Sequence, residues 1–352
     1  MIRRLGPVVA LIASTLAAQP QRIVSPEVHG DRRVTLRLRA PNAKEVLASG
    51  EFVPKPVPMT RGAEGIWSLT TEPLSPDIYG YTFRVDDLVI NDPSNASIKA
   101  GINATQSLFT VPGDTAALYD EQDVPHGVLH RHHYRSKAIG DTRAFVVYTP
   151  PGYSADGKAK YPVLYLLHGS GDLPTSWSDT GKAHFILDNL IAQGKAKPMI
   201  VVMPFGHAVR STERTPANRG RNLELFAKDL LGDVMPSVEA AYRVHTDRKN
   251  RAIAGLSMGG GQSLSAGFSH PEKFAWVAGF SSSVPDNLPI KATDQFRWIA
   301  IGRDDFLIEN NRKLDAALKA AGVKYSYQET EGAHSWRVWR RYLADLVPLL
   351  FR

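Results

Sequence analysis

The sequence predicts an α/β catalytic fold preceded by a β-sandwich, and three observations carry that expectation. From residue 126 onward, apolar strand-like runs alternate with amphipathic helical ones, the succession of a mainly parallel sheet covered on both faces. Residues 23–112 instead hold short alternating runs at close spacing, divided by turn residues, as sandwiches do. Residues 251–261, Arg-Ala-Ile-Ala-Gly-Leu-Ser-Met-Gly-Gly-Gly, set a serine between a small apolar strand and a helix. A length of 352 residues accommodates two such units.

The first eighteen residues open with Met1, Ile2, Arg3 and Arg4, then run largely apolar to small residues at Ala17 and Ala18. That is the layout of a signal peptide, too short for a membrane anchor, with cleavage expected near Ala17 or Ala18. No later stretch approaches eighteen uninterrupted apolar residues, so no membrane contact is expected once the signal is removed. Cysteine is absent, which excludes a disulfide framework and thiol chemistry and fits a bacterial periplasmic or secreted protein. The formal charge of +7 falls to about +5 without Arg3 and Arg4, too diffuse a surplus to imply nucleic acid.

In the sandwich, strands are expected at 33–38, 45–49, 65–70 and 79–85, with turns at 40–43 and 92–95. Arg37 and Arg39 alternate with Leu36 and Leu38 and read as a solvated strand face. Trp67, Tyr79 and Tyr81 offer aromatic faces for sugar stacking, but sandwich core is their expected place. Residues 113–125 read as a linker, and the catalytic unit spans 126–352. Its buried strands are expected at 161–167, 199–203, 252–254, 275–280 and 297–302, with a further strand at 324–328. Helices are expected at 184–193, 222–242, 258–268 and 307–321. In the second of these, Leu223, Phe226, Leu230, Val234 and Val238 form a core stripe, and Pro236 is expected to kink or divide it.

The serine supplies the chemistry. Gly255, Ser257 and Gly259 form a G-x-S-x-G pattern in which the flanking glycines let strand and helix approach and the Oγ stands clear of the backbone. A hydroxyl is a poor nucleophile at neutral pH and requires a base, an orienting acid and an oxyanion hole. In α/β-hydrolases these follow in the order Ser, Asp or Glu, His. Downstream of Ser257 the only histidines are His270 and His334. His270 falls at the far end of the helix that starts beside the serine, whereas His334 lies in a loop before the C-terminal helix and can reach back over the sheet edge. The acid belongs just beyond the strand at 297–302, where Asp304 and Asp305 compete, and either could instead cap the next helix. For the oxyanion, Met258 supplies the N–H after the nucleophile. The strand at 161–167 runs into His168-Gly-Ser-Gly171, whose glycines free the backbone to aim the Ser170 N–H.

Taken in order, Tyr165-Leu-Leu-His-Gly-Ser-Gly171, Ile253-Ala-Gly-Leu-Ser-Met-Gly-Gly260, Ile301-Gly-Arg-Asp-Asp-Phe-Leu307 and Gly332-Ala-His-Ser-Trp336 resemble the esterase-D-like α/β-hydrolases. More narrowly they resemble carbohydrate esterase family one, the feruloyl and acetyl-xylan esterases, over roughly residues 126–352. The family's Gly-x-x-Asp pattern falls on Gly302 to Asp305, so the resemblance implies Asp305 as the acid, and its oxyanion positions fall on Ser170 and Met258. It departs at Phe205, where relatives usually carry a polar residue. The stretches around Leu38–Val46, Gly65–Leu69 and Ile78–Phe83 are similar to the early-set sandwiches of glycogen-branching enzymes, classed with starch-type carbohydrate-binding modules. Together these resemblances imply a secreted serine carboxylesterase acting on acylated plant polysaccharide, with feruloyl esters favoured. Acetyl-xylan or siderophore esters, or an inactive glycan-binding protein, are the alternatives.

No cofactor is implied. His126, His130, His132 and His133 match no zinc spacing and have no companion carboxylate or cysteine close by, so a β-hairpin is expected there rather than a metal site. The loop at 206–221 carries Arg210, Arg214, Arg219 and Arg221, expected to be solvated charges at the cleft border. Trp336 and Phe306 are the expected walls around an aromatic acyl group, with Phe205 a further substrate contact.

Overall fold

A computed structural model describes residues 22–102, 105–209, 215 and 218–352. The expected signal peptide at 1–18 and the arginines at 210 and 214 lie outside the described residues. Ten short strands form two sheets. In one, β1 (Glu27–Val28), β2 (Val34–Arg39), β5 (Thr60–Arg61) and β6 (Ile66–Thr70) lie in the order β1-β2-β6-β5. In the other, β3 (Val46–Gly50), β4 (Val57–Pro58), β7 (Asp77–Val85), β9 (Ile98–Lys99) and β10 (Gln106–Val111) run β4-β3-β7-β10-β9, and β8 (Leu88–Ile90) pairs with β7. Val34, Leu36 and Leu38 from one sheet and Val46, Ala48, Tyr79, Tyr81 and Phe83 from the other share one apolar core.

Trp67, Tyr79 and Tyr81 belong to that core rather than to a sugar-stacking surface. Tyr81 is fully buried with its hydroxyl on Asp92, and Tyr79 stacks on Phe109. Both lie on β7 at i and i+2, so the pleat turns them to the same inward face.

The remaining strands make an eight-stranded sheet in the order β11-β12-β14-β13-β15-β16-β17-β18. These are β11 (Val128–Arg135), β12 (Thr142–Thr149), β13 (Val163–Leu167), β14 (Ile200–Pro204), β15 (Arg251–Leu256), β16 (Trp276–Phe280), β17 (Phe296–Gly302) and β18 (Ser326–Thr330). From β14 to β18 every pairing is parallel, and β11 and β12 close the edge as an antiparallel hairpin. Alternate residues of each central strand serve opposite faces. Leu164 and Leu166 pack under α2 (Ala183–Ala192) and α7 (Trp336–Leu346). Val163 and Tyr165 pack under α3 (Arg219–Asp229), α4 (Met235–Ala241), α5 (Met258–Ser269) and α6 (Ile308–Ala320). The short α1 (Ser176–Asp179) precedes α2.

The helix expected over 222–242 is divided by a π-turn at Leu230–Val234, and Pro236 stands at the start of α4. A proline ring collides with the carbonyl four residues back and donates no hydrogen bond, so a wider turn ahead of it relieves both problems. Among the four histidines near residue 130, His132 stacks on Phe145 and bonds the Tyr242 hydroxyl, while His130 bonds Thr149. They brace the β11–β12 hairpin, and no cluster of potential metal ligands occurs among the described residues.

The stretch at 113–125 is docked. Asn189 donates to the carbonyls of Leu118 and Asp120, and the buried Asp188 accepts from His126, the Gly127 N–H and the Tyr148 hydroxyl. Asp188→Ala therefore strands a buried phenol, and about 2–3 kcal/mol of stability should be lost in a denaturant titration. An unchanged midpoint would show that water replaces the carboxylate. The Asp188 hydrogen bond also holds the His126 imidazole above its usual pKa. That part of the stability is fully present below the unfolded value of about 6.5 and fades as pH rises through the raised one.

Candidate active site

Three loops at the carboxyl ends of the parallel strands converge on Ser257. The serine lies between β15 and α5 at φ 53°, ψ −115°, a strained conformation for a residue with a Cβ. Its N–H donates to the Phe280 carbonyl and its own carbonyl accepts from Gly261 and Ser283, which hold the turn. Both flanking glycines are required by contact. A Cβ on Gly255 would stand 2.5 Å from the Gly259 carbonyl oxygen, and one on Gly259 would stand 2.5 Å from that of His168.

His334 reaches this serine from the loop between β18 and α7. Its Nε2 lies 3.0 Å from Ser257 Oγ and its Nδ1 lies 2.8 Å from Asp305 Oδ2. A carboxylate only accepts, so Nδ1 carries the proton and Nε2 is left as the acceptor that faces the hydroxyl. Asp305 is buried, and its second oxygen accepts the Leu307 N–H at 2.9 Å, so both oxygens are satisfied. Asp304, its competitor in the sequence, is exposed. His270 caps the far end of α5 and pairs with Glu272.

Met258 occupies the first turn of α5, where a helix leaves its N–H groups without internal partners. The His168–Asp172 loop comes alongside, close enough that a Cβ on Gly169 would meet the Ser257 Cβ at 3.5 Å. The Gly169 N–H is taken by Asp172 and the Gly171 N–H by His207, while no group among the described residues takes that of Ser170. His168 ties this loop to the end of β14. Its Nε2 accepts from the Gly206 N–H at 2.9 Å and its Nδ1 donates to the Gly169 carbonyl at 2.8 Å.

Of the expected walls, Phe306 stands 75% exposed with its ring centroid 4.5 Å from that of His334. Phe205 is half-buried against the Arg143 guanidinium and beside His168 and His207. Trp336 does not line the cleft: it is 4% exposed and packs edge-on against Trp177 and Trp339. Entry into α7 at Trp336 rolls its ring toward α1. Trp339, just under one helical turn further on, sets its ring edge-on to His334 at 4.9 Å and donates to Ser281 Oγ. Sequence reading missed Trp339, His168 and His207. The one signal for Trp339 was its position on the apolar stripe of α7, which reads equally as core.

The sequence profile of the esterase family matches residues 136–302, which contain the elbow and the His168–Asp172 loop. The eight-stranded sheet with helices on both faces is an α/β-hydrolase fold. An endo-1,4-beta-xylanase/feruloyl esterase of Xylanibacter ruminicola is 34% identical over 336 residues, covering 93% of this chain and 46% of that protein. An uncharacterized protein of Corynebacterium glutamicum is 25% identical, over 58% of this chain and 56% of its own length. The chain thus spans about half the length of these curated relatives. Among solved structures, a ferulic acid esterase is 28% identical with a TM-score of 0.57, covering 64% of this chain and 97% of its own. The enterobactin esterase of Shigella flexneri shares the fold over 91% of this chain and 94% of its own, at 20% identity and a TM-score of 0.69. That second likeness takes in the sandwich as well as the hydrolase unit.

Proposed function

We propose that this chain is a serine carboxylesterase that releases feruloyl groups from plant cell-wall polysaccharide such as arabinoxylan. The observation that carries the reading is the unbroken relay from Ser257 through His334 to a buried Asp305, set on a strained elbow. Ser257 Oγ attacks the ester carbonyl while His334 Nε2 takes its proton, and Asp305 stabilises the imidazolium. The Ser170 and Met258 N–H groups receive the developing oxyanion. His334 then protonates the leaving alcohol, and afterwards activates the water that frees the acid and restores the serine.

Feruloyl specificity is supported by the xylanase/feruloyl esterase relative and by the exposed Phe306 ring beside His334, a face suited to an aromatic acid. Retention of all three relay residues argues against an inactive glycan-binding protein, which has no use for them. We further propose that the sandwich ends near residue 112, that the hydrolase begins near residue 126, and that the chain is secreted after loss of residues 1–18. No described helix is long and apolar enough to cross a membrane.

The test is a panel of methyl ferulate, acetylated xylan and a catecholate siderophore ester, with p-nitrophenyl acetate as the general probe. Methyl ferulate is expected to show the highest kcat/KM of the three. Preference for the acetylated polymer or the siderophore ester would move the substrate class, and failure to turn over any of the four would defeat the esterase reading.

A further inference from the structure

The sandwich reaches into the loop that carries the Ser170 N–H. Lys99, on the two-residue strand β9, places its Nζ 3.2 Å from Asp172 Oδ1, with side chains 22% and 6% exposed. The other oxygen of that carboxylate accepts the Gly169 N–H at 3.2 Å. Three residues beyond Lys99, the Ile102 N–H donates to the Gly171 carbonyl at 2.8 Å. Each peptide group around Ser170 is therefore held. The Gly169 carbonyl accepts from His168 Nδ1 and the Asp172 N–H, and the Gly171 N–H donates to His207 Nε2. Two of these restraints, on Asp172 and on the Gly171 carbonyl, come from the sandwich.

An oxyanion donor helps only if it is aimed before charge develops, because reorientation during the reaction cancels part of the gain. Asp172 is a buried acceptor with two oxygens and one backbone N–H inside its own loop. Without a cation on Oδ1 it is free to rotate and release Gly169, the residue whose carbonyl belongs to the same peptide group as the Ser170 N–H. We propose that residues 99–102 of the sandwich are a built-in part of the oxyanion hole, with Lys99 the positioning residue that fixes the loop through Asp172. The inference rests on the esterase reading, and it gives the sandwich a role in the chemical step that requires no sugar.

The test compares Lys99→Met, which keeps the aliphatic stem, with Lys99→Arg in the full chain on p-nitrophenyl acetate. Removing an oxyanion donor outright costs roughly 10²–10³ in rate, so mis-aiming one should lower kcat about 10-fold with KM unchanged. Lys99→Arg should restore most of that loss. Asp172→Asn should lower kcat as well, and the double variant should lose less than the product of the two single losses, since both act through one contact. Should Lys99→Met not fold, Lys99→Gln takes its place, as the side chain is partly exposed. A wild-type kcat in the Lys99→Met variant, a loss confined to KM, or independent effects of Lys99 and Asp172 would overturn the proposal. A wild-type chain that hydrolyses no ester would instead defeat the esterase reading, so the two failures are distinct.

Discussion

Ser257→Ala is expected to remove the acylation burst and lower kcat on p-nitrophenyl acetate by about 10⁶, the scale found when a serine-hydrolase nucleophile is deleted. The alanine keeps the Cβ that the φ of 53° strains, and the backbone bonds to Phe280, Gly261 and Ser283 do not involve Oγ. Among the described residues only one hydrogen bond, to His334, is lost. The fold and its thermal midpoint should therefore be unchanged, which separates lost chemistry from lost structure. Residual turnover of roughly 10³–10⁴ over water should persist through the Ser170 and Met258 donors. Near wild-type turnover would remove Ser257 from the mechanism.

Asp305→Asn should lower kcat by about 10⁴ while leaving KM close to its original value. The asparagine oxygen can still accept the Leu307 N–H, so the turn into α6 survives. Its NH₂ then faces His334 Nδ1, which must become the acceptor. The proton moves to Nε2, and the imidazole presents a donor to Ser257 where the reaction requires an acceptor. Asp304→Asn, at an exposed position, should change kcat less than twofold. Stopped-flow burst amplitudes and steady-state rates on the two variants decide between them, and the reverse ranking would transfer the acid role to Asp304.

How much of this could be read from the chain depends on the range of the interaction concerned. The elbow is local: strand, glycine, serine, glycine and helix occupy eleven consecutive residues, and the steric demand at Gly255 comes from Gly259 one helical turn on, whereas that at Gly259 comes from the sequence-distant carbonyls of Leu167 and His168. The alternation of buried strands with helices is likewise a matter of side-chain period, so the parallel sheet and its two helical layers were legible. Pro236 announced the break before α4 because its ring acts within one turn. Asp304 and Asp305 were not separable in this way, since both follow β17 and both are competent helix caps. The turn that buries one carboxylate and exposes its neighbour is held by the end of β18 and the His334 loop, through the Arg303 N–H on the Thr330 carbonyl and the Asp304 N–H on the Gly332 carbonyl.

Trp336 and Trp339 show the same division. Both lie on α7 near His334 in sequence, but which ring meets the imidazole follows from the angle at which the helix leaves the loop. Trp67, Tyr79 and Tyr81 were expected in the core by their apolar character and are found there, although a strand's period tells only which residues share a face and not which face is covered. By itself, the sequence determined the two fold classes and singled out the candidate nucleophile and base, all of them features written in contiguous motifs or in their order along the chain. Local spacing left the acid open, the family resemblance implied Asp305, and tertiary structure sets that carboxylate against His334; tertiary structure alone decided which tryptophan braces the imidazole, and that Lys99 and Ile102 bear on the loop at Ser170. The carboxylate and sandwich contacts join residues about 30 to more than 70 positions apart, whereas Trp339 lies close to His334 in sequence and meets it only through the angle of α7. No local periodicity encodes the Lys99 and Ile102 contacts, because they exist only once the sandwich and the hydrolase sheet have packed together.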